Sequence, residues 1–194
     1  MIKHLHHIDQ SLTLWVNSLG TPFVDSLMTM VTGKEIWVPL YILVLYILIR
    51  RLGWKKALLV LVSVILTIVA CDQTSNLVKA EVERLRPCFN TRMLHGGLNI
   101  LEGRGNFFGF FSAHAANHFG FATCSLIGFR NDKEHSYKAY GIFVLLWAAL
   151  VSISRVFVGK HYLGDIIVGT GVGCAYGILF GLAAAFLIRK LLKD

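Results

Sequence analysis

Charged residues are scarce in this chain of 194 residues. They make up 15% of the sequence, whereas an average soluble domain carries about 25%. Hydrophobic residues account for 55%. The composition excludes an ordinary soluble domain and predicts an integral membrane protein. The length allows one compact helical domain, 1–194, without a second.

Cysteine is also sparse and shows no metal-binding spacing. The four cysteines lie far apart and no CxxC pair occurs, so neither a disulfide framework nor a zinc site is expected. The N-terminus lacks a long apolar core, and a signal peptide is therefore not expected either.

Long apolar runs, in contrast, are abundant. A spanning helix needs about 20 mostly apolar residues, and we predict spans at 27–49, 56–78, 112–130, 138–154 and 164–188. Two charged residues weaken the first run near its start. The fold class predicted from these runs is all-α, a membrane bundle of about five transmembrane helices.

The first twenty residues carry too many polar groups to span a membrane. Their apolar residues Ile8, Leu12, Trp15 and Leu19 recur at helical spacing. This pattern is typical of an amphipathic helix that lies in the membrane interface. We predict such a helix within 1–20.

Basic residues between the runs indicate the orientation. They form three clusters: Arg50, Arg51, Lys55 and Lys56; Arg130, Lys133 and Lys138; Arg189, Lys190 and Lys193. Five spans place all three clusters on one face, which the positive-inside rule makes cytoplasmic. Most of the formal net charge of +8 then lies on that face, so nucleic-acid binding is not needed to explain it. The N-terminus, 79–111 and 155–163 share the outer face.

Each of three segments on the outer face carries candidate functional residues. In the first, Lys79 and Arg86 are two helical turns apart, and they project from one face if the second span continues beyond the membrane. Pro87 would then end the helix. The two cations form an anion clamp in one interpretation and a solvated helix end of mixed charge in the other.

The second segment opens the third span. Ser112 is placed to cap this helix, and a helix N-terminus binds phosphate through its free N–H groups and its dipole. His114 lies in the first turn; the alternative is an ordinary capping serine beside an interfacial histidine. His114 and His118 are spaced as a metal pair, but no third ligand completes a site. His118 is better explained as a hydrogen-bonded core residue.

The third segment joins the last two spans. His161 and Asp165 are four residues apart and share a helical face if the helix begins near them, and a carboxylate beside an imidazole fixes its tautomer and raises its basicity. Arg155 precedes the histidine across a glycine-containing turn. Ionisable residues at the end of a membrane helix suggest function. The alternative, snorkelling to the interface, explains Lys160 well and the spacing of His161 and Asp165 poorly.

Taken together, the three segments resemble the signature of the type 2 phosphatidic acid phosphatase (PAP2) superfamily. The K-x6-RP motif matches at 79–87, and SR-x5-H-x3-D matches at 154–165. The PSGH motif is altered, because Phe111 replaces its proline and Ala113 its glycine. The resemblance implies a membrane lipid phosphatase that requires neither a metal nor a cofactor.

The resemblance also implies a role for each matching residue. His161 would be the nucleophile and form a phosphohistidine, with Asp165 orienting it. His114 would protonate the leaving oxygen as the general acid. The residues that would bind the phosphoryl oxygens are Lys79, Arg86, Ser112, Ala113 through its amide, and Arg155.

A stripe of small residues occupies the last run. Gly169, Gly173, Gly177, Gly181 and Ala185 recur every four residues, a pattern that lets membrane helices approach closely. We expect the stripe to pack inside the bundle and to hold the histidine–aspartate pair rigidly. The alternative is a dimer face, so the chain is expected to be a monomer or a homodimer.

An active site at the outer interface favours an amphiphilic substrate whose phosphate lies at headgroup depth. Undecaprenyl diphosphate, phosphatidylglycerol phosphate, phosphatidic acid and lipid A phosphates all fit. The loop 88–110 is expected to line the entrance, where Arg92 and Arg104 would meet a second anionic group. The expected location is the inner membrane, with the site facing the periplasm or the cell exterior.

A membrane anion or lipid transporter without hydrolytic activity is the alternative from a different class. It predicts polar residues deep within several spans and often repeated halves. The polar residues Asp72, Gln73, Thr74 and Asn76 cluster near one end of a single run, and no internal repeat is visible. The sequence therefore favours the phosphatase.

Overall fold

Eight α-helices account for most of residues 2–192, the part of the chain that the computed structural model describes. They are α1 (Ile2–Asn17), α2 (Pro22–Val31), α3 (Val38–Leu52), α4 (Trp54–Val82), α5 (Thr91–His95), α6 (Ala113–Phe129), α7 (Lys138–Phe157) and α8 (Leu163–Leu191). No β-strand occurs among these described residues, which confirms the all-α class. Lys193, assigned above to the third basic cluster, lies outside them.

Three of these helices, α4, α7 and α8, are long and apolar enough to cross a membrane. The pair formed by 22–31 and 35–52 adds a fourth crossing if the two pieces are one span. The predicted span 112–130 is the helix α6, whose 17 residues give a length of about 25 Å at 1.5 Å per residue. Helix α6 is the most central element, with buried residues along its whole length.

The prediction of one helix over 27–49 is wrong. Helix α2 ends at Val31, a short 3-10 turn covers Glu35–Trp37, and α3 begins at Val38. The two pieces are bent by 69°. Pro39 lies at the start of α3, where its missing N–H costs nothing, whereas inside a continuous helix it would remove a hydrogen bond and clash with the preceding turn.

The expectation that Lys79 and Arg86 share one helix is also wrong. Helix α4 ends at Val82, and Glu83 adopts a left-handed conformation with a φ of 49°. The chain beyond it is extended and pairs with the loop, because the amide of Arg86 donates to the carbonyl of Phe107 at 2.9 Å. The chain therefore turns away four residues before Pro87, and Arg86 reaches the same region from an extended segment.

The glycine stripe packs inside the bundle, as predicted. Gly169, Gly173, Gly177 and Gly181 are all buried and lie against α6. A Cβ atom on Gly173 would stand 2.2 Å from the carbonyl oxygen of Ala116, so the two backbones touch. At the far end Ala184 is the buried residue and Ala185 is only half-buried. Because the stripe is covered within one chain, it is not free to form a dimer face.

Replacing Gly173 with leucine is expected to lower the unfolding temperature in detergent together with any activity that depends on the histidine–aspartate pair. The side chain must push α8 away from α6, and overpacking of a well-packed interior costs about 1–3 kcal/mol. Gly171→Leu is the matched control, because a Cβ at that position meets nothing within 4 Å. Unchanged stability and activity in Gly173→Leu would refute the packing account.

The N-terminal helix α1 is confirmed as a helix with an exposed apolar face. Leu12 and Trp15 are 48% and 61% exposed, as a helix in the interface requires. Its opposite face is polar and buried against the bundle, where Thr13 and Asn17 are almost fully covered. The sequence did not predict this second face, and it brings α1 next to the turn between α7 and α8.

The basic clusters gather at one end of the bundle. Arg51, at the end of α3, lies 2.7 Å from the ring nitrogen Nε2 of His135 in the loop between α6 and α7. Leu52, Phe129 and Ile188 belong to one hydrophobic cluster at this end. The segments 83–112 and 158–162 lie at the opposite end, as the charge pattern predicts.

Candidate active site

A cavity of about 700 Å³ opens between α3, α4 and α6. Most of the side chains predicted to carry chemistry line its polar end: Lys79, Arg86, Ala113, His114, Arg155 and His161. The rest of its wall is mainly apolar and reaches Leu48 and Val64. The structure thus brings residues from all three charged segments around one space.

His161 and Asp165 form a buried pair at this polar end. Helix α8 begins at Leu163, so His161 precedes the helix and Asp165 lies in its first turn. The Nδ1 atom of His161 lies 3.2 Å from Oδ2 of Asp165, and the amide of Tyr162 donates to the same oxygen at 3.1 Å. His161 is 3% exposed and Asp165 is fully buried.

Burial and neighbouring cations keep the imidazole neutral. Burial lowers the pKa of His161 well below its ordinary value, and the positive charges of Arg155, Arg86, Lys79 and Lys160 lower it further. In the neutral ring Nδ1–H donates to Asp165, so the lone pair of Nε2 is free. A neutral imidazole with a free lone pair is a nucleophile.

The start of α6 is fixed to the start of α8. The Oγ atom of Ser112 accepts from the amide of Ala115 at 3.4 Å, which confirms the predicted N-cap. The amide of Ser112 donates to the carbonyl oxygen of Asp165 at 3.1 Å. Ser112 itself is fully buried, whereas Ala113 and His114 line the cavity.

Arg155 is held from two sides by residues that the sequence reasoning missed. Its Nη1 atom donates to the hydroxyl of Thr32 and lies 3.4 Å from a carboxylate oxygen of Glu102. Thr32 caps α2 at the break in the first predicted span. Lys34, from the same break, also lines the cavity. In the sequence, the charge of Lys34 inside a predicted span was the signal that this region has a function.

Lys160 does not snorkel, contrary to expectation. It is 4% exposed, and its ammonium group donates to the carbonyl oxygen of Gly103. Burial lowers the pKa of Lys160, and the nearby charge of Arg86 adds to this shift. Gly159, with a φ of 76°, makes the turn that brings Lys160 into contact with the loop 88–110 at Gly103.

Arg84 is a further residue that the sequence reasoning missed. It donates through Nη1 to Oδ1 of Asp165 at 2.7 Å and through Nη2 to Oδ2 of Asp9 at 2.6 Å. In the sequence it looked like one charge of a solvated helix end. No local spacing links it to Asp9 or Asp165.

Polar side chains also line the cavity beyond its polar end, in the direction of the apolar wall. His118 is a core residue as predicted, since its Nδ1 atom lies 2.7 Å from the carbonyl oxygen of His114. The Asn117 amide donates to Oδ1 of Asp72 at 2.9 Å, and all three of His118, Asn117 and Asp72 line the cavity. Three possible metal ligands meet elsewhere within residues 2–192, at 132–135 near the basic end.

The arrangement is that of a membrane phosphatase. A neutral, carboxylate-oriented imidazole faces a space bordered by four cationic side chains and a helix N-terminus, and such groups stabilise a phosphoryl group in transfer. The chain belongs to the PAP2 superfamily, whose sequence pattern matches residues 56–189. It is accordingly a membrane lipid phosphatase.

Two curated relatives support this membership. The lipid A 4'-phosphatase of Bacteroides thetaiotaomicron is 40% identical over 196 residues, which cover 100% of this chain and 84% of the relative. The lipid A 4'-phosphatase of Porphyromonas gingivalis is 28% identical over 177 residues, which cover 91% of this chain and 72% of the relative.

Two solved structures share the fold. One is the transmembrane PAP2 type phosphatidylglycerolphosphate phosphatase from Bacillus subtilis, with a TM-score of 0.71 and 19% identity, covering 97% of this chain and 88% of that one. The other is LpxE from Aquifex aeolicus, with a TM-score of 0.67 and 21% identity, covering 88% of this chain and 92% of that one.

Proposed function

We propose that this chain removes a phosphate group, the 4'-phosphate, from lipid A at the outer face of the inner membrane. The observation that carries the proposal is the order of the lining residues along α4 and α6, where Lys79 and His114 are followed by Asp72 and Asn117 and then by Ile68 and Phe121. A glycolipid phosphate has the same order of phosphate, sugar and acyl chains. The names of the two curated relatives support the same substrate.

The proposed reaction is a double displacement at phosphorus. Nε2 of His161 attacks, the N–P bond forms, and the bond from phosphorus to the sugar oxygen breaks. His114 gives its proton to that leaving oxygen. Water then attacks phosphorus and gives one proton to His114, while the N–P bond breaks with its electron pair returning to Nε2 of His161. Inorganic phosphate then leaves.

The remaining predicted residues serve the phosphoryl group. Lys79, Arg86 and Arg155 neutralise its oxygens, and the amide of Ala113 donates to one of them. Ser112 does not line the cavity, and its hydroxyl caps the start of α6. We therefore assign it to fixing the helix start, with any direct hydrogen bond dependent on rotation of its hydroxyl.

The middle layer of the cavity supports a leaving group with hydroxyl or amide groups. Asp72 lies two helical turns below Lys79 on α4, and Asn117 lies one turn below Ala113 on α6. A charged group inside a membrane protein is costly unless it has a function or a partner. Asp72 accepts one hydrogen bond from Asn117, and its second oxygen is available to accept from a sugar hydroxyl.

The orientation at the membrane follows from the two ends of the bundle. The basic clusters lie at one end and Lys79, His114 and His161 at the other, and the positive-inside rule favours a site outside the cytoplasm. Arg92 and Arg104 are exposed on the loop at this outer end. We retain them as candidates for contact with the second phosphate of the substrate.

The test is phosphate release from a lipid panel in detergent with a chelator present. Lipid A, phosphatidylglycerol phosphate, phosphatidic acid and undecaprenyl diphosphate are compared by kcat/KM, and mass spectrometry locates the phosphate that lipid A loses. We expect lipid A to be preferred by about tenfold or more, since one matched polar contact is worth about 1–3 kcal/mol. Equal rates across the panel would contradict the substrate assignment.

Asp72→Leu is expected to reduce the preference for lipid A over the other lipids of the panel. The variant should lower kcat/KM for lipid A by about tenfold, because a hydroxyl partner is lost. It should not lower kcat/KM for undecaprenyl diphosphate, whose second phosphate lies below the transferred one and offers no hydroxyl to Asp72. Gln73→Leu, which changes the exposed neighbour, is the matched control. An equal loss of kcat/KM on both lipids would show that Asp72 does not contribute to headgroup specificity.

A further inference from the structure

The polar face of α1 binds both ends of the turn that carries His161. At the start of α8, the amide of Leu163 donates to the Thr13 hydroxyl at 3.1 Å, and the amide of Gly164 donates to Oδ1 of Asp9 at 2.8 Å. These contacts satisfy N–H groups that a helix start leaves without an internal partner. Helix α1 therefore supplies side-chain caps to the helix that holds Asp165.

The end of α7 is bound by the same face. The side-chain amide of Asn17 donates to the carbonyl oxygens of Val156 at 3.0 Å and Phe157 at 2.8 Å, where α7 leaves carbonyl groups without a helical partner. Asp9, Thr13 and Asn17 are four residues apart and lie on one helical face. One face of α1 thus spans the whole turn from α7 to α8.

Arg84 connects this face to the catalytic pair. Its guanidinium lies between two carboxylates, 2.6 Å from Asp9 and 2.7 Å from Asp165, and stacks 4.0 Å above the ring of Tyr162. The planar fork of arginine suits such a bridge, because separate N–H groups serve separate acceptors. The result is a continuous chain of contacts from Asp9 through Arg84 and Asp165 to His161.

We propose that Arg84 and Asp9 are positioning residues for the reaction at His161. Arg84 does not line the cavity, so it acts through Asp165 and not on the substrate. The Oδ2 atom of Asp165 faces His161, and its Oδ1 atom is held by Arg84. Holding Oδ1 prevents rotation of the carboxylate and keeps Oδ2 aimed at Nδ1 of the imidazole.

Asp9 has two tasks in this arrangement. One oxygen holds Arg84 and the other caps the start of α8. Because the apolar face of α1 is exposed and an exposed apolar helix face suits the membrane interface, the helix would connect that interface to the residue that orients the nucleophile. The proposal rests on the proposed phosphatase reaction and adds to it a functional role for the N-terminal helix.

The test compares kcat, KM and thermal unfolding in Arg84→Gln, Asp9→Asn and the double variant of the full-length protein in detergent. Outer partners of metal-ligating side chains contribute about 10–100-fold to activity, and we take that scale for a partner of the Asp165 carboxylate. We expect Arg84→Gln to lower kcat by that factor with KM within about twofold of wild type. Asp9→Asn, whose amide oxygen still caps α8, should lower kcat less.

Coupling between the two residues separates positioning from general stability. We expect the double variant to have the kcat of Arg84→Gln alone, because both changes break one chain of contacts. Arg84→Lys, which keeps the positive charge, should retain more activity than Arg84→Gln. Arg130→Gln at the other end of the bundle and Glu81→Gln on the exposed end of α4 serve as controls and should match wild type.

The outcomes also distinguish this proposal from the proposed function. A wild-type protein that releases no phosphate from any lipid of the panel would refute the phosphatase reaction and, with it, the need for positioning. An active wild type would refute the positioning role alone if Arg84→Gln kept its kcat, or if it raised KM at an unchanged kcat. A lower unfolding temperature with an unchanged kcat would likewise assign Arg84 to stability.

Discussion

Alanine at position 161 is expected to reduce phosphate release from a lipid phosphate by at least about 10⁴-fold. The variant removes the imidazole that Asp165 contacts, and water alone is a poor nucleophile toward a phosphate ester. The cations and the helix start remain, so the substrate should still bind. KM or a direct binding measurement should therefore change much less than kcat.

Added imidazole provides the control for this variant. The ring of His161 is buried, so alanine leaves a space of the size of the lost side chain beside Asp165. We expect imidazole to restore part of the activity of His161→Ala and to have no such effect on the wild type. Release by His161→Ala at the wild-type rate would refute the nucleophile assignment.

His114→Ala is expected to have the second largest effect, and its size should depend on the leaving group. A general acid contributes about 10²–10⁴-fold when the leaving oxygen needs a proton. With a lipid phosphate, whose leaving group is an ordinary alcohol, the full loss should appear. With p-nitrophenyl phosphate, whose leaving phenolate is stable without a proton, the loss should be less than about tenfold.

The comparison of the two substrates is what makes this prediction specific. His135→Ala, which changes an exposed histidine near the basic end, controls for the loss of an imidazole as such and should match wild type. An equal loss on both substrates would show that His114 positions the phosphate instead of protonating the leaving group.

Features with a local origin were predictable from the sequence. The Ser112 cap, the pairing of His161 with Asp165 and the packing of the glycine stripe each depend on residues a few positions apart, within one helix or at its start. Helical periodicity relates such residues directly. The predicted spans 56–78, 138–154 and 164–188 fall within α4, α7 and α8 for the same reason.

Features that join distant segments were not predictable. The bridge from Arg84 to Asp9 and Asp165 connects residues that are 75 and 81 positions apart, and no periodicity relates them. The bond from Thr32 to Arg155 crosses 123 positions. In the sequence, Arg84 and Arg155 are indistinguishable from solvated charges. Their partners are apparent only once α1 packs on the bundle and the chain bends before α3.

The break in the first span shows how one error concealed several residues. A continuous helix over 27–49 would bury Lys34 in the membrane, and this charge therefore weakens the prediction of a span there. The bend of 69° instead brings this region to the cavity, where Lys34 joins the other cations. A proline near the start of α3 was the signal for the break.

The most direct test of the central claim is to trap the phosphoenzyme. The wild-type protein is mixed with lipid A carrying a labelled phosphate, quenched in alkali within milliseconds and analysed by mass spectrometry. The account predicts one labelled phosphoryl group on Nε2 of His161, absent from His161→Ala. A label on another residue, or the same label in His161→Ala, would contradict it.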